Sequence, residues 1–371
     1  MPTPTISLVI ACVDEGPDLE ATIALARASD PAPDQIIVVD DWSTEPLSPR
    51  LSLWSDVEVV RPPERLGAGP AKAYGGHRAT GDLIVLMDAH LRFSQDWLRI
   101  ILDAHSRYPM AIMCPSSVGF DQDSKFHGAG ARFNRRGPIG LSLEWMSSRD
   151  SDLVDLVPAI LGGCYIIPRD IWSVLGGLNP NLTGWGYEEQ DLSLRAWACG
   201  YEARCINGLR VAHNYRRSHL TSNRSEMATW HATYNAMLVA ATVFEDGVFE
   251  KHFRPFVRFT EPNHAARAFE EFESRKDAIE DFRNVFQSQR RFNDSELLAL
   301  VGYAFPDGFT TMAAKDPDAD RKRISQKVKQ DRAEQIQRQD DEIRARIDGG
   351  ECIPCGGRNA PPLDPSKLPE V

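Results

Sequence analysis

The strongest constraint on the fold is a pattern repeated between residues 6 and 90, in which continuous apolar runs of strand length alternate with segments of helical spacing. Ile6 to Cys12 is rich in β-branched residues and unbroken by charge. Asp18 to Ala28 has helical spacing, Gln35 to Val39 is a second apolar run, and Val57 to Val60 is a short third. Gly67 to Ala79 is rich in small residues and opens a helix, and Asp82 to Met87 forms a fourth strand. A strand with one wet face alternates polar and apolar residues, whereas a strand that is apolar throughout is covered on both faces. Such strands separated by helices predict an α/β protein built on a parallel sheet. Ligands of these sheets collect beyond the carboxyl ends of the strands. Glu15, Asp40, Asp41, Asp88 and His90 all fall there.

The rest of the chain is less regular. Arg107 to Val157 shows no sustained period and is expected to be an irregular insert with antiparallel strands. A strand from Ala159 to Ile167, a helix from Arg169 to Leu175, a helix over Gly186 to Gly200 and a strand over Ala203 to Ala212 follow. Beyond Asn263 the composition turns to Glu, Arg, Lys and Gln, with Phe269, Phe272, Ile279, Phe282, Val285 and Phe286 at helical intervals. The spacing predicts three parts: a main domain over 1–263, a helical extension over 264–349, and a Pro/Gly-rich tail over 350–371. Mixed-sign helices of this kind form a solvated face or a partner-binding arm.

Composition narrows the function classes. Of 371 residues, 53 are acidic and 42 basic, giving a net charge of −11. That balance speaks against broad binding to nucleic acid or anionic membrane, though a local groove can differ. The N-terminal apolar run is broken by Asp14 and Glu15 and is expected to be a buried strand, not a signal peptide or anchor. Seven scattered cysteines make no disulfide framework and point to a reducing, cytoplasmic setting. Cys352 and Cys355 form half of a zinc-ribbon pattern without a second Cys or His pair at ribbon spacing, which leaves open metal binding by the pair alone or by a site shared across copies.

Three constellations carry chemistry. Asp88-Ala89-His90 pairs a hard carboxylate with an imidazole at a strand end, a set suited to Mn²⁺, although such pairs also occur without an ion. Gly184-Trp185-Gly186-Tyr187 is a loop able to approach a ligand closely. It leads into Glu188, Glu189 and Asp191, which can bind hydroxyls, take a proton, or simply favour a helix N-terminus. His213-Asn214-Tyr215-Arg216-Arg217-Ser218-His219 offers a further imidazole and cations that can neutralise a diphosphate, or is an ordinary basic turn.

Taken together, these segments resemble one family. VIACVDEGPDLEATI, IIVVDDWST, RLGAGPAKAYGGHRATGDLIVLMDAH, ILGGCYIIPRDIWSVLGGLNPNLTGWGYEEQDLSLRAWACG and VAHNYRRSH follow, in order, the motifs of A-type glycosyltransferases of the family 2-like group. The nearest resemblance is to the polypeptide N-acetylgalactosaminyltransferases, over roughly residues 5 to 250. It implies an A-type fold with a Rossmann-like nucleotide-binding sheet, carried by the 1–263 part as catalytic domain. It implies a UDP-sugar donor and a divalent ion, Mn²⁺ or Mg²⁺, on Asp88, His90 and His213. The uridine is then expected against Ala11, Glu15, Asp40 and Asp41, with Lys72, Arg216 and His219 near the phosphates. Gly162, Gly163, Trp185 and Glu188 are expected around the sugar. Tyr187 replaces a family glycine, Glu189 a family asparagine, and Thr221 an aromatic residue. GWGYEEQDL also resembles the corresponding helix of inverting galactosyltransferases. An inverting reaction needs Glu188, Glu189 or Asp191 as base, and a retaining one does not. The expected acceptor is a protein Ser/Thr hydroxyl. The alternatives are a polysaccharide, a small metabolite or a modified nucleic-acid base, and a non-catalytic sugar-nucleotide-binding module is the rival of another class.

Overall fold

The computed structural model describes residues 2–120, 127–134, 141–147, 154–214, 230–245 and 262–303. β1 (Ile6–Cys12), β2 (Gln35–Asp40), β3 (Val57–Val60) and β4 (Leu83–Asp88) are parallel and lie in the order β3-β2-β1-β4. The register sets Ala11 opposite both Val39 and Asp88, and Cys12 opposite Asp40. The carboxyl ends of the three inner strands are therefore level, and their acidic residues open onto one crevice. Helix α1 (Pro17–Arg27) starts with Pro17 in its first turn and carries Asp18 and Glu20 there, a proline and two acids that suit a helix N-terminus. It is followed by the short α2 (Leu47–Arg50) and by α3 (Ala68–Gly76), whose small residues let it lie close to β1 and β2. A Cβ on Gly75 would stand 2.4 Å from Val9.

The expected irregular insert holds more order than its sequence shows. After β5 (Leu91–Arg92) and α4 (Trp97–Arg107), β6 (Ala111–Gly119) is an inner strand of the main sheet. Pro115, Ser116 and Ser117 interrupt its apolar pattern. The register of its partner strand shifts opposite Pro115 and Ser116, a bulge that accommodates the missing proline N–H. The Ser116 hydroxyl donates to Asn207 O or Leu209 O, which removes the cost of burying it. β7 (His127–Asn134) and β8 (Ser142–Ser147) pair antiparallel, as expected for the insert, and β9 (Val154–Leu156) follows. β10 (Cys164–Pro168) runs antiparallel between β4 and β6. After α5 (Arg169–Leu175) and α6 (Glu188–Ala198), β11 (Glu202–His213) pairs parallel with β6 and brings His213 beside Leu91 of β5.

Helix α7 (Trp230–Val243) is nearly all buried. A helix apolar on every side lacks the 3.6-residue stripe that marks amphipathic helices, so its sequence does not announce it. α8 (Pro262–Ser274) and α9 (Lys276–Gln289) pack on it, and α10 (Asp294–Leu300) packs on α6. Ala268, Ile279, Phe286 and Leu297 belong to the same core as Val9, Leu86 and Ile112 of the sheet. The described part of the helical extension thus shares the sheet's core, and the described residues from Pro4 to Tyr303 fall in one compact unit. The part of the helical extension beyond residue 303 and the 350–371 tail, with Cys352 and Cys355, lie outside the described residues. No helix among the described residues is long and apolar enough to cross a membrane.

Candidate active site

Three ligand atoms converge at the carboxyl end of the sheet. One each from Asp88 at the end of β4, His90 two residues on, and His213 at the end of β11 lie within 4.8 Å of one another. His213 Nε2 stands 3.2 Å from Asp88 Oδ2, and the two imidazole rings meet edge to face with centroids 4.9 Å apart. The turn after β4 and the pairing of β5 with β11 supply this convergence across 125 residues of sequence. Glu15 Oε2 lies 3.1 Å from His90 Nδ1, leaving Nε2 for a ligand. A carboxylate behind a ligating histidine is the usual arrangement for orienting the ring. Glu15, expected at the uridine, thus supports the cluster. Lys72 from α3 sits inside it, 2 % exposed, with Nζ 2.7 Å from Asp88 Oδ1.

Charge decides the protonation states here. Burial by itself raises the Asp88 carboxyl, but Lys72, the contact with His213 and the neighbouring imidazoles outweigh it and hold Asp88 well below the usual range. Burial likewise works against the Lys72 charge, yet Asp88, Glu188 and Glu189 raise its pKa above the ordinary lysine value. Both groups are therefore ionised at neutral pH.

Gly163 makes room for the cluster. A Cβ there would stand 2.7 Å from His213 Cδ2 and 2.8 Å from Asp88 Oδ2, while its carbonyl accepts from the Asp88 amide at 2.7 Å. Gly163→Ala is expected to fold, because the obstacles are side chains, and to weaken Mn²⁺ binding about 10–100-fold by displacing two ligands. A Mn²⁺ titration beside far-UV circular dichroism checks this. Gly162 is at φ +124, a backbone region open essentially to glycine, and its missing Cβ would touch Trp145 Cη2 at 3.5 Å. Trp145 of β8 thus walls the same glycine pair. Sequence reasoning missed it, since it lies in the insert where no period marked its place.

The acidic turn of α6 separates into three roles. Glu188 is buried, its pKa is raised chiefly by burial, and Lys72 acts against that rise. Glu189 is also raised, by burial and by the charge of Glu188, and accepts from the Tyr165 hydroxyl at 2.7 Å. Asp191, expected as a candidate base, is instead fully buried in an ion pair with Arg195 and accepts from Asn179 at 3.4 Å. Its carboxylate is turned to Arg195 and Asn179 inside the protein. Tyr187 caps this helix at φ 70, ψ 4, a left-handed conformation that costs a non-glycine residue about 1–2 kcal/mol. Asp14 and Trp42, the other non-glycine residues with positive φ among those described, follow β1 and β2. Backbone strain is thus gathered around the crevice, a common property of functional sites.

The remaining expected residues surround the cluster. Ala11 is half-buried beside Asp88 in register. Asp40 accepts from the Ser43 and Leu47 amides and from Arg61 at 2.9 Å, and Asp41 accepts from the Leu66 and Gly67 amides. These two carboxylates shape the crevice through bonds to the protein itself. Gly67 packs on the backbone of Gly184 and Gly69 on Glu188, which joins the start of α3 to the loop bearing Trp185. Trp185 is 55 % exposed. Arg216, His219 and Thr221 lie outside the described residues.

The donor set fits a divalent cation of borderline hardness: one carboxylate, two imidazoles, and a backbone opened by Gly163. Residues 7–171 match the model "Glycosyl transferase family 2", and residues 147–220 match "N-terminal domain of galactosyltransferase". Polypeptide N-acetylgalactosaminyltransferase 10 of Rattus norvegicus is 29% identical over 231 residues, covering 58% of this chain and 38% of the relative. Polypeptide N-acetylgalactosaminyltransferase 5 of Caenorhabditis elegans is 28% identical over 210 residues, covering 52% and 34%. The chain thus spans little more than a third of the length of these relatives. A crystal structure of GalNAc-T7 with UDP, GalNAc and Mn²⁺ superposes with a TM-score of 0.62 at 19% identity, covering 82% of this chain and 59% of the other. The chain thus carries a glycosyltransferase domain of A-type fold, in which residues 7–171 match the family 2 model, and it is similar in sequence to the polypeptide N-acetylgalactosaminyltransferases.

Proposed function

We propose that this chain transfers a sugar from a UDP-sugar to a hydroxyl acceptor with the help of Mn²⁺ or Mg²⁺, and that the acceptor is a protein Ser or Thr. The observation that carries the reading is the convergence of Asp88, His90 and His213 beside the crevice at the ends of β1, β2 and β4. Support for the donor and metal comes from the GalNAc-T7 structure, which is a complex with UDP, GalNAc and Mn²⁺. Support for the acceptor comes from relatives named as polypeptide-modifying enzymes. A cation bound there would supply the positive charge that stabilises the leaving nucleotide diphosphate. Asp88, His90 and His213 hold it, and Glu15 fixes the ring of His90. Gly162 and Gly163 let the sugar approach the backbone, while Trp145 and Trp185 flank it.

Of the three acids on α6, Glu188 is the one we assign to the sugar hydroxyls. Asp191 is held by Arg195 and Glu189 by Tyr165. Arg216 and His219 are proposed at the diphosphate by resemblance, and the scattered cysteines support a reducing compartment such as the cytoplasm. The test is a UDP-sugar panel assayed for donor hydrolysis with and without Mn²⁺, beside calorimetry with UDP. One UDP-sugar is expected to be hydrolysed in a metal-dependent way. If no nucleotide sugar binds or is hydrolysed, the protein is a docking module and the catalytic reading fails.

A further inference from the structure

We propose that Lys72 is a built-in stand-in for the divalent cation, neutralising Asp88 in the nucleotide-free protein and yielding that carboxylate when cation and donor diphosphate enter together. The inference rests on the metal-dependent reading above and adds a coupling between the two ligands. Its starting point is how Asp88 is shared. Oδ1 contacts the Lys72 ammonium at 2.7 Å and Oδ2 faces His213 at 3.2 Å. A cation held by Asp88, His90 and His213 therefore shares one carboxylate with a buried ammonium only a few ångströms away. Two like charges so close repel appreciably even at the effective dielectric of a protein site.

Lys72 cannot relieve that repulsion by turning to water, because it is 2 % exposed. It has a second place to go. The aromatic face of Tyr165 lies 4.8 Å from its Nζ, and Glu188 and Glu189 both favour its charge. A Cβ added to Gly69 of the same helix would stand 3.5 Å from the Glu188 Cβ, so α3 lies close to the acidic turn of α6. Charge count then imposes the coupling. Lys72 and Asp88 cancel, a divalent cation adds two positive charges, and a diphosphate adds two negative ones. Counting Lys72, Asp88 and the two ligands alone, either ligand by itself leaves a net charge that the other cancels. Cation and nucleotide must then each strengthen the binding of the other, by the same factor.

The experiment measures Mn²⁺ affinity by electron paramagnetic resonance, using manganese chloride alone and with saturating UDP, in the wild type and in Lys72→Met. Without nucleotide, Lys72→Met is expected to bind Mn²⁺ about tenfold more tightly than wild type. This effect is opposite in sign to that of damage to the site, which weakens the cation. Should the Met variant fail to fold, Lys72→Gln, which keeps a donor to Asp88 without the charge, is read by the same criteria. Unchanged or weaker nucleotide-free Mn²⁺ binding in a folded variant overturns the proposal, provided Asp88→Ala abolishes that binding. A wild type that takes up no Mn²⁺ even with UDP, or an Asp88→Ala variant that binds it normally, instead defeats the metal-site reading itself.

Discussion

Asp88→Ala and His213→Ala are each expected to lower sugar transfer on the order of 10³-fold and to abolish the Mn²⁺ dependence of UDP binding. The size follows from what the two side chains share. They meet at 3.2 Å from strands brought together only by the fold, and neither His90 nor Glu15 replaces the missing ligand. Asp88→Ala carries a second consequence, because it strands the buried Lys72 ammonium without its ion-pair partner. Loss of fold must therefore be separated from loss of function. Asp88→Asn serves, since it keeps the volume and an oxygen for Lys72 while removing the charge that holds the cation. Calorimetry of UDP with and without Mn²⁺, run beside thermal unfolding, distinguishes the two effects. Acid is not a substitute for the mutation. The folded-state pKa of Asp88 is depressed, so its stabilising contribution is complete above the unfolded carboxyl value and fades only as pH falls toward the lowered one. Metal binding is thus not lost through Asp88 protonation anywhere near neutrality. Undiminished, Mn²⁺-dependent UDP binding in both alanine variants would refute the site.

What the sequence discloses is governed by how local the physics is. The strands of the nucleotide-binding half are legible because burial on both faces writes itself as unbroken apolar runs, and their acidic ends follow at once. Asp88 and His90 are two residues apart and can be read as a pair, whereas His213 joins them only through the β5–β11 pairing and enters by resemblance. The Lys72–Asp88 ion pair spans strand and helix and leaves no local signature. β6 is hidden by Pro115 and two serines whose polarity is answered across the sheet. α7 is hidden by being apolar all round. The fate of Asp191 was legible in principle. Arg195 lies four residues later on the same helix, at the spacing where opposite charges meet.

That pair supports the other large expected effect, a loss of about 3–5 kcal/mol of stability in Arg195→Leu. Arg195 and Asp191 are both 0% exposed, so removing the cation leaves an uncompensated buried carboxylate. The guanidinium also donates to Leu175 O at 2.5 Å and to Gly177 O at 2.9 Å, and it lies 5.3 Å from the Phe282 ring. One side chain therefore ties α6 to the turn after α5 and to α9, and its loss loosens the helix that presents Glu188. Replacing both partners, as Asp191→Leu with Arg195→Leu, is expected to be less destabilising than the sum of the single changes, because no charge is then left buried alone. Denaturant unfolding of the two single variants and the double variant measures this directly. Activity per folded molecule supplies the mechanistic half of the test. If Asp191 is structural, Asp191→Asn loses stability and keeps most of its turnover. If it is instead the base of an inverting reaction, Asp191→Asn loses turnover on the order of 10²–10⁴-fold while its unfolding midpoint stays near wild type, and the assignment of Asp191 to the scaffold is wrong.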